Sequence, residues 1–151
     1  MNRAIVVFEV SGYTTAIAAG SVHWVLPLKQ GDPGPHTMTM FGRRLTPLHL
    51  ECLLEIPRRE FQTDSTVIVL KDLSMGVLAL RVGRLVELLF IAPGSAVPVE
   101  RENFLNGCVA GVVLFEGRKI HLLSSLRLLE KYERLHYGFS GVSGAQRFAT
   151  Q

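Results

Sequence analysis

The sequence predicts an all-β protein in which two small barrels pack together and a helix follows at the C-terminal end. Short runs of β-branched and apolar residues recur along the chain, separated by turns that contain glycine or proline. Hydrophobic residues make up 48% of the chain and charged residues 19%, which supplies ample material for a buried core. A segment of the first half also recurs in the second half, and this repetition predicts two related units.

The first strands are predicted to form a hairpin. Residues 5–10 are typical of a strand, and residues 13–18 return antiparallel to it after a Ser-Gly pair. Residues 22–28 are consistent with a further strand or with a bend. Residues 30–35 combine glycine with proline, which interrupts regular ladders, and therefore predict a loop.

The middle of the chain predicts an edge strand and one turn of helix. Residues 37–41 form the short edge strand. Pro47 confines the next segment to an edge or a bulge, because proline cannot donate a hydrogen bond to a central ladder. Leucines at helical spacing in residues 48–56 predict a short helical turn that ends before Pro57.

The second half contains the clearest strand signals, followed by the helix. Strands are predicted at residues 66–70, 75–81, 85–91, 108–115 and 119–123, the last two as a hairpin around a Glu-Gly turn. Ser124 or Ser125 is expected to cap a helix that runs to about Tyr137, with leucines along one face. Residues 138–151 are polar and contain glycine, so we expect a flexible tail.

The internal repeat is the most informative feature of the sequence. Gly42–Leu48 resembles Gly117–Leu123, 75 residues later, and both continue to a double leucine, Leu53–Leu54 and Leu128–Leu129, at the same distance. Small domains bury a low fraction of their surface, so neither half alone offers much core. We therefore expect the halves to pack on each other, with a cleft between them that suits a ligand or a partner.

Charge and cysteine usage favour a cytoplasmic protein that does not insert into a membrane. The 16 basic and 13 acidic residues leave a net charge of +3 that is scattered along the chain. Cys52 and Cys108 form no CxxC pair and lie among apolar neighbours, as reduced thiols of the cytosol do. The N-terminal apolar run lacks the features of a signal peptide. No apolar stretch approaches the roughly 18 residues that a membrane helix needs.

No catalytic, cofactor-binding or metal-binding constellation stands out, so we expect no enzyme activity, no cofactor and no metal. The sequence contains no GxGxxG, P-loop or HExxH motif. His49 and His121 could approach each other in a two-barrel fold, but ordinary histidines are the favoured interpretation because metal geometry is demanding. Glu100 and Glu102 flank Arg101 and are interpreted as surface charge.

Four segments match, in order and spacing, the pattern of a known family. They are Ala16–Pro27, residues 66–70, residues 76–86 and Val109–Arg118, the last of which contains a glycine-turn hairpin. Together with the repeat, they resemble the CheW-like domain over roughly residues 4–135. The resemblance implies a tandem of two SH3-like five-stranded barrels within residues 1–137.

The resemblance also implies how the chain is divided. Subdomain 1 is expected at about residues 13–62 and subdomain 2 at about residues 66–137, with the N-terminal strand open to sharing between them.

CheW-like proteins are scaffolds, and the resemblance implies the same role here. Members bridge the cytoplasmic tips of chemoreceptors to the regulatory domain of a CheA-type histidine kinase, and they associate with other CheW-like proteins. A receptor helix hairpin packs in the groove between the barrels. By this resemblance, Val22, Trp24, Val25, Phe41 and Arg43 lie where members contact the receptor or the kinase.

The chain departs from the family pattern at several positions. Phe41 stands where members have an arginine, and Trp24 stands where many have a glutamate. His49 and Ser124 occupy two barrel-closing positions that usually hold aspartate or asparagine. These changes indicate an accessory member, and a narrower hypothesis keeps receptor binding but omits kinase binding.

Two alternatives stay open at this point. Trp24 lies among apolar neighbours and is either a core residue or an exposed interface anchor, and Phe41 carries the same ambiguity. A small-barrel nucleic-acid binder that uses the arginines and surface aromatics is the alternative function. The scattered charge argues against it, since such proteins usually gather basic residues on one face.

Overall fold

The computed structural model describes residues 2–28, 37–40, 42–58, 65–72, 76–99 and 101–137. In these ranges the chain forms short strands, two α-helices and two 3₁₀ turns. The strands are β1 (Arg3–Val10), β2 (Tyr13–Ala18), β3 (Val22–Leu28), β4 (Met38–Met40), β5 (Arg43–Leu45), β6 (Leu48–His49), β7 (Ser65–Asp72), β8 (Gly76–Val82), β9 (Leu85–Ile91), β10 (Ala96–Val97), β11 (Val109–Phe115) and β12 (Arg118–Leu123). The helices are α1 (Leu50–Leu54) and α2 (Ser125–Tyr137), and the 3₁₀ turns are Ala19–Ser21 and Phe104–Gly107. The loop predicted at residues 30–35 and the tail at residues 138–151 lie outside the described residues.

The strands form two barrels, which confirms the predicted all-β fold with a C-terminal helix. Barrel A is a six-stranded sheet of order β10-β11-β12-β2-β1-β9. Barrel B is a four-stranded sheet of order β3-β7-β8-β6, and the β4-β5 ribbon packs its side chains against the same interior. The pairs β12-β2 and β6-β8 are parallel. Among the described residues, barrel A thus contains six strands, and barrel B contains four strands and the two strands of the ribbon. The resemblance implied five strands in each barrel.

The sheets do not follow the expected subdomain bounds. β2 lies within residues 13–62, yet it pairs with β1 and β12 in barrel A. β7 and β8 lie within residues 66–137, yet they belong to barrel B, where β7 pairs with β3 and β8 with β6. The chain after β8 supplies β9 to β12 to barrel A, and the N-terminal hairpin β1-β2 completes that sheet. Each barrel is therefore built from both halves of the sequence.

The repeat of 75 residues is visible in the structure. Gly42 and Gly117 both adopt positive φ, 71° and 78°, in the turns that precede β5 and β12. Such a backbone conformation favours glycine because glycine has no Cβ. After these turns, β6 leads into α1 and β12 leads into α2, and each helix buries its double leucine. The two halves therefore share a turn, a parallel strand and a helix.

Within the described ranges, three hydrophobic clusters stabilise the barrels and their packing on each other. The interior of barrel A includes Ile5, Val7, Leu89, Val113 and Ile120. The interior of barrel B includes Leu28, Val67, Val69 and Ala79. A larger shared core between the barrels includes Phe8, Ile17, Leu50, Ile68, Leu70, Leu80, Leu123 and Leu128.

The shared core explains the unbroken apolar runs of the sequence. Successive side chains of a strand point to opposite faces. In β7, Val67 and Val69 enter barrel B while Ile68 and Leu70 enter the shared core. Such a strand is buried on both faces, so it carries no polar alternation.

The helix starts differ between the two repeats. Ser124 caps α2, because its Oγ accepts a hydrogen bond from the backbone N–H of Arg127 at 3.2 Å. His49 precedes α1 and makes no side-chain cap hydrogen bond.

Among the described residues, neither helix has the length and apolar character needed to span a bilayer.

Candidate docking surface

One face of the barrel A sheet is buried at its centre and exposed at both edges. At the centre, Phe8 lies in the shared core. At the β9 edge, Leu88 and Phe90 are 54% and 63% exposed, and at the β10-β11 edge Val97 and Leu114 are 52% and 68% exposed. Apolar side chains therefore extend past the area that the second barrel covers. Large exposed apolar patches typically mark partner surfaces.

We give the name β9 flank to the exposed Leu88 and Phe90 together with their cross-strand partners, the buried Val6 and the half-buried Ala4. Val6 pairs with Leu88 and Ala4 with Phe90, so the four side chains share one face of the sheet. On its other side Val6 pairs with Ile17, which is buried in the shared core. The β9 flank therefore runs from the exposed sheet edge to the junction of the two barrels.

Three of the five sequence-predicted site residues lie together on β3, an edge strand of barrel B. Val22 pairs with Leu70 and Trp24 with Val69, so a β-bulge lies between them and redirects the strand. Val22 is half-buried and packs against the shared core. Val25 is half-buried, whereas Trp24 is 50% exposed. The structure thus places Trp24 at the surface, as its predicted role as an interface anchor requires.

The other two predicted residues are not on β3. Arg43 is exposed on β5, in the separate ribbon. Its Nη1 would lie 3.6 Å from a Cβ added at Gly76, the first residue of β8. Gly76 pairs with Asp72 at the C-terminal end of β7. Val22 pairs with Leu70 near the same end of β7. Phe41 lies outside the described residues.

Sequence reasoning did not select Leu88 or Phe90. Their strand, Leu85–Ile91, is apolar apart from Glu87, and this composition is also typical of a strand buried on both faces. They are exposed because β9 lies at the edge of the described barrel A sheet, beyond the area of this face that the described part of barrel B covers. The sequence contains no local signal that separates the two cases.

Two ion pairs lie next to the β9 flank and leave the flank itself apolar. Arg84 Nη2 lies 3.5 Å from Glu9 Oε1. Arg118 donates a hydrogen bond from Nη2 to Glu87 Oε1 at 2.6 Å. Partly exposed pairs of this kind contribute about 1 kcal/mol or less to stability. The main consequence of the two pairs is that their four charged side chains contact each other and leave the β9 flank apolar.

The structure places the two candidate metal histidines in separate surroundings. Burial lowers the pKa of His49, and the neighbouring charge of Arg58 lowers it further. Burial also lowers the pKa of His121, with a further contribution from Lys119. Within the described ranges, no group of three or more histidine, cysteine, aspartate or glutamate side chains is arranged to hold a metal ion.

Comparisons with known proteins give one match to a family model and one match to a solved structure that we describe. A family model described as the CheW-like domain matches residues 4–133. Among solved structures, the scaffolding protein TtCheW from Thermoanaerobacter tengcongensis matches with a TM-score of 0.66 and 20% sequence identity. That match covers 83% of this chain and 86% of the other. At this identity it shows a common fold, the two SH3-like barrels. No curated protein matches the chain.

Proposed function

Because this chain belongs to the CheW-like domain family, we propose that it is a non-catalytic, cytoplasmic scaffold of a bacterial chemosensory system. In this role it couples chemoreceptors to a CheA-type histidine kinase or to other CheW-like domains. The mechanism is positional, since two barrels that share one core present fixed docking surfaces to separate partners. No bond is made or broken by the scaffold itself.

The β9 flank is the observation that carries this proposal. It is an apolar strip that is exposed at Phe90 and Leu88 and continues through the buried Val6 to the junction of the barrels. Amphipathic helices dock with their apolar face on hydrophobic surfaces of a partner. Val22 packs against the same shared core, and the Ala19–Ser21 turn contacts β1 and β7 on either side of the junction. We assign the β9 flank and Val22 to the helical tip of a receptor.

The exposed face of β3 and the ribbon forms a second candidate surface. Trp24 lies on an edge strand, whose outer backbone groups are available to another barrel. Aromatic and arginine side chains are enriched among the residues that dominate interface energetics. We assign Trp24, Val25 and Arg43 to a partner that carries a similar barrel, either the kinase regulatory domain or another CheW-like protein.

The family departures support the narrower hypothesis, in which receptor binding is kept and kinase binding is lost. Ser124 still caps its helix, as an aspartate or asparagine would. His49 makes no side-chain cap, so the corresponding position in barrel B has lost that contact. The change therefore falls on the barrel that carries Trp24 and Arg43.

Receptor docking is tested by affinity measurements with a purified receptor cytoplasmic tip. Leu88→Asp and Phe90→Asp place a charge in the β9 flank. We expect each to lower receptor affinity by about 30-fold, which corresponds to roughly 2 kcal/mol. Leu114→Asp is the matched control, because Leu114 is also exposed and lies on β11, near the opposite edge of the sheet. A folded wild-type protein that binds neither receptor nor kinase would remove the coupling role.

Kinase docking is tested separately with the isolated regulatory domain. Trp24→Ala should weaken any kinase binding and leave receptor affinity unchanged, and His23→Ala on the same strand is its control. A wild-type affinity for the kinase that equals or exceeds the receptor affinity would contradict the narrower hypothesis.

The nucleic-acid alternative receives no support from the arginine contacts. Arg118 pairs with Glu87, and Arg127 donates from Nη1 to the backbone oxygens of Gly107 and Val109. These two arginines already have partners within the chain, which does not favour phosphate contacts at their positions. A salt titration with single-stranded DNA tests the alternative, because phosphate contacts must weaken steeply as salt rises.

A further inference from the structure

A cavity of about 370 Å³ lies at the β10-β11 edge of barrel A, on the same sheet face as the β9 flank but at its opposite end. Its floor follows the strand register. Val97, Val112 and His121 are cross-strand partners on β10, β11 and β12, and Leu114 with Lys119 forms the next row. Pocket volumes of a few hundred Å³ suit small organic ligands. The floor is therefore a shallow apolar bed with one imidazole in it.

The β10 wall of the cavity depends on a glycine. A Cβ added at Gly111 would lie 3.1 Å from the backbone oxygen of Val97 and 3.4 Å from the Cβ of Ala96. The missing side chain thus allows β10 to lie close against β11. The wall is held by backbone packing and by the β10-β11 ladder.

The opposite wall is formed by Phe104 on the Phe104–Gly107 turn, whose ring packs with the rings of His121 and Tyr13. The Phe104 ring lies 5.0 Å from the His121 ring and 5.9 Å from the Tyr13 ring, measured between centroids. The Arg101 guanidinium carbon lies 5.9 Å from the Phe104 centroid. Cation–aromatic contacts at this distance are attractive and hold the guanidinium over the ring. Arg101 is thereby positioned at the rim of the cavity.

The polar groups of the cavity have one sign of charge. Of the described residues that line it, Arg101 and Lys119 are charged, and both are cations. Among the described residues, His121 Nδ1 is buried and has no hydrogen-bond partner, so we assign Nε2 as the ring nitrogen that meets a ligand. Burial and Lys119 lower the pKa of His121, which favours the neutral ring that can donate one N–H.

We propose that this cavity binds a small organic carboxylate with an aromatic or branched apolar body. The body lies on Val112 and Leu114 against the Phe104 ring, and the carboxylate faces Arg101 and Lys119 with His121 Nε2 as a donor. The proposal does not depend on the scaffold function. A ligand here leaves the β9 flank free, because the flank lies at the other edge of the sheet.

Phenylacetate is a suitable probe, with phenylacetamide as the uncharged control of the same shape. We expect phenylacetate to bind about tenfold more tightly by calorimetry, a difference of about 1.4 kcal/mol. The His121 ring signals in NMR should shift on binding. The pKa of His121 should rise in the complex, because a neighbouring carboxylate favours the imidazolium.

Three variants locate the site. Arg101→Gln combined with Lys119→Gln should abolish the preference for phenylacetate over phenylacetamide, and Leu114→Asp should prevent phenylacetate binding by repulsion. Arg134→Gln removes an exposed cation from α2 and should change nothing. Equal affinity of the wild type for both probes, no phenylacetate binding by the folded protein, or a preference for phenylacetate that survives the double substitution would each overturn the proposal.

Discussion

Ser11 and Glu51 join the two barrels through a buried hydrogen bond, in which Ser11 Oγ donates to Glu51 Oε2 at 2.6 Å. Ser11 lies in the turn between β1 and β2 of barrel A. Glu51 lies on α1, which contacts β6 and β8 of barrel B. Glu51 is 4% exposed, and within the described structure its Oε1 is buried without a partner. The Ser11 hydroxyl therefore stabilises a carboxylate that is largely removed from water.

Ser11→Ala should lower the free energy of unfolding by about 1–3 kcal/mol, because it leaves a buried acceptor without its donor. Urea denaturation of the wild type and the variant measures the difference. Ser95→Ala is the matched control, since the Ser95 hydroxyl donates to the backbone oxygen of Ala92 at an exposed turn. Its expected cost is about 0.5 kcal/mol or less. Equal costs for the two variants would contradict the role assigned to the Ser11–Glu51 contact.

Gly111→Ala should also be destabilising. The added Cβ would meet the backbone oxygen of Val97 at 3.1 Å, so β10 must move away from β11. Overpacking of this kind costs about 1–3 kcal/mol. At Gly20 an added Cβ meets nothing within 4 Å, so Gly20→Ala is the control and should be close to neutral. Thermal unfolding of both variants, followed by circular dichroism, separates them, and a neutral Gly111→Ala would argue against the close approach of β10.

Stability should fall as the solution is acidified from neutral pH. Burial lowers the pKa of His49 and of His121 below the ordinary value of 6.5, so the unfolded chain binds protons more readily than the folded one. The stability that the neutral rings contribute is fully present above the histidine pKa of the unfolded chain. It is lost as the pH falls through the lower pKa values that the two rings have in the folded protein.

His121→Gln should make the loss between about pH 7.5 and about pH 5.5 smaller, because it removes one of the two titrating rings. Denaturant titrations at both pH values measure it. His23→Gln, which replaces an exposed histidine of β3, is the control. An unchanged pH dependence in His121→Gln would show that His121 does not contribute.

The two cysteines should differ sharply in reactivity. Cys52 is exposed on α1, whereas Cys108 is buried, and burial raises the pKa of its thiol. Alkylation proceeds through the thiolate, so both access and pKa protect Cys108. Brief treatment with iodoacetamide, read by mass spectrometry, should modify Cys52 in the native protein and Cys108 only after unfolding. Equal labelling of both residues in the native state would contradict the packing around Cys108.

The candidate site could be predicted only in part. The resemblance to the family selected Trp24 and Val22, and the structure places them on one edge strand with Trp24 exposed. Leu88 and Phe90 could not be selected, because an apolar strand such as β9 is equally compatible with burial on both faces, as in the apolar centre of β7. The exposure of a side chain depends on which other element packs against its face of the sheet. Residues close to it in the sequence do not specify that element.

The sequence by itself determined the local elements: most of the strands, the cap at Ser124, and the repeat that relates Gly42 to Gly117. These features depend on residues a few positions apart, through side-chain alternation, capping and backbone freedom. The tertiary structure alone decided that β1 and β2 complete the barrel of the C-terminal strands. It also decided which apolar strand forms an exposed edge. Pairing between distant strands is set by the burial of whole faces in the shared core, and a local pattern cannot specify which distant partner covers it.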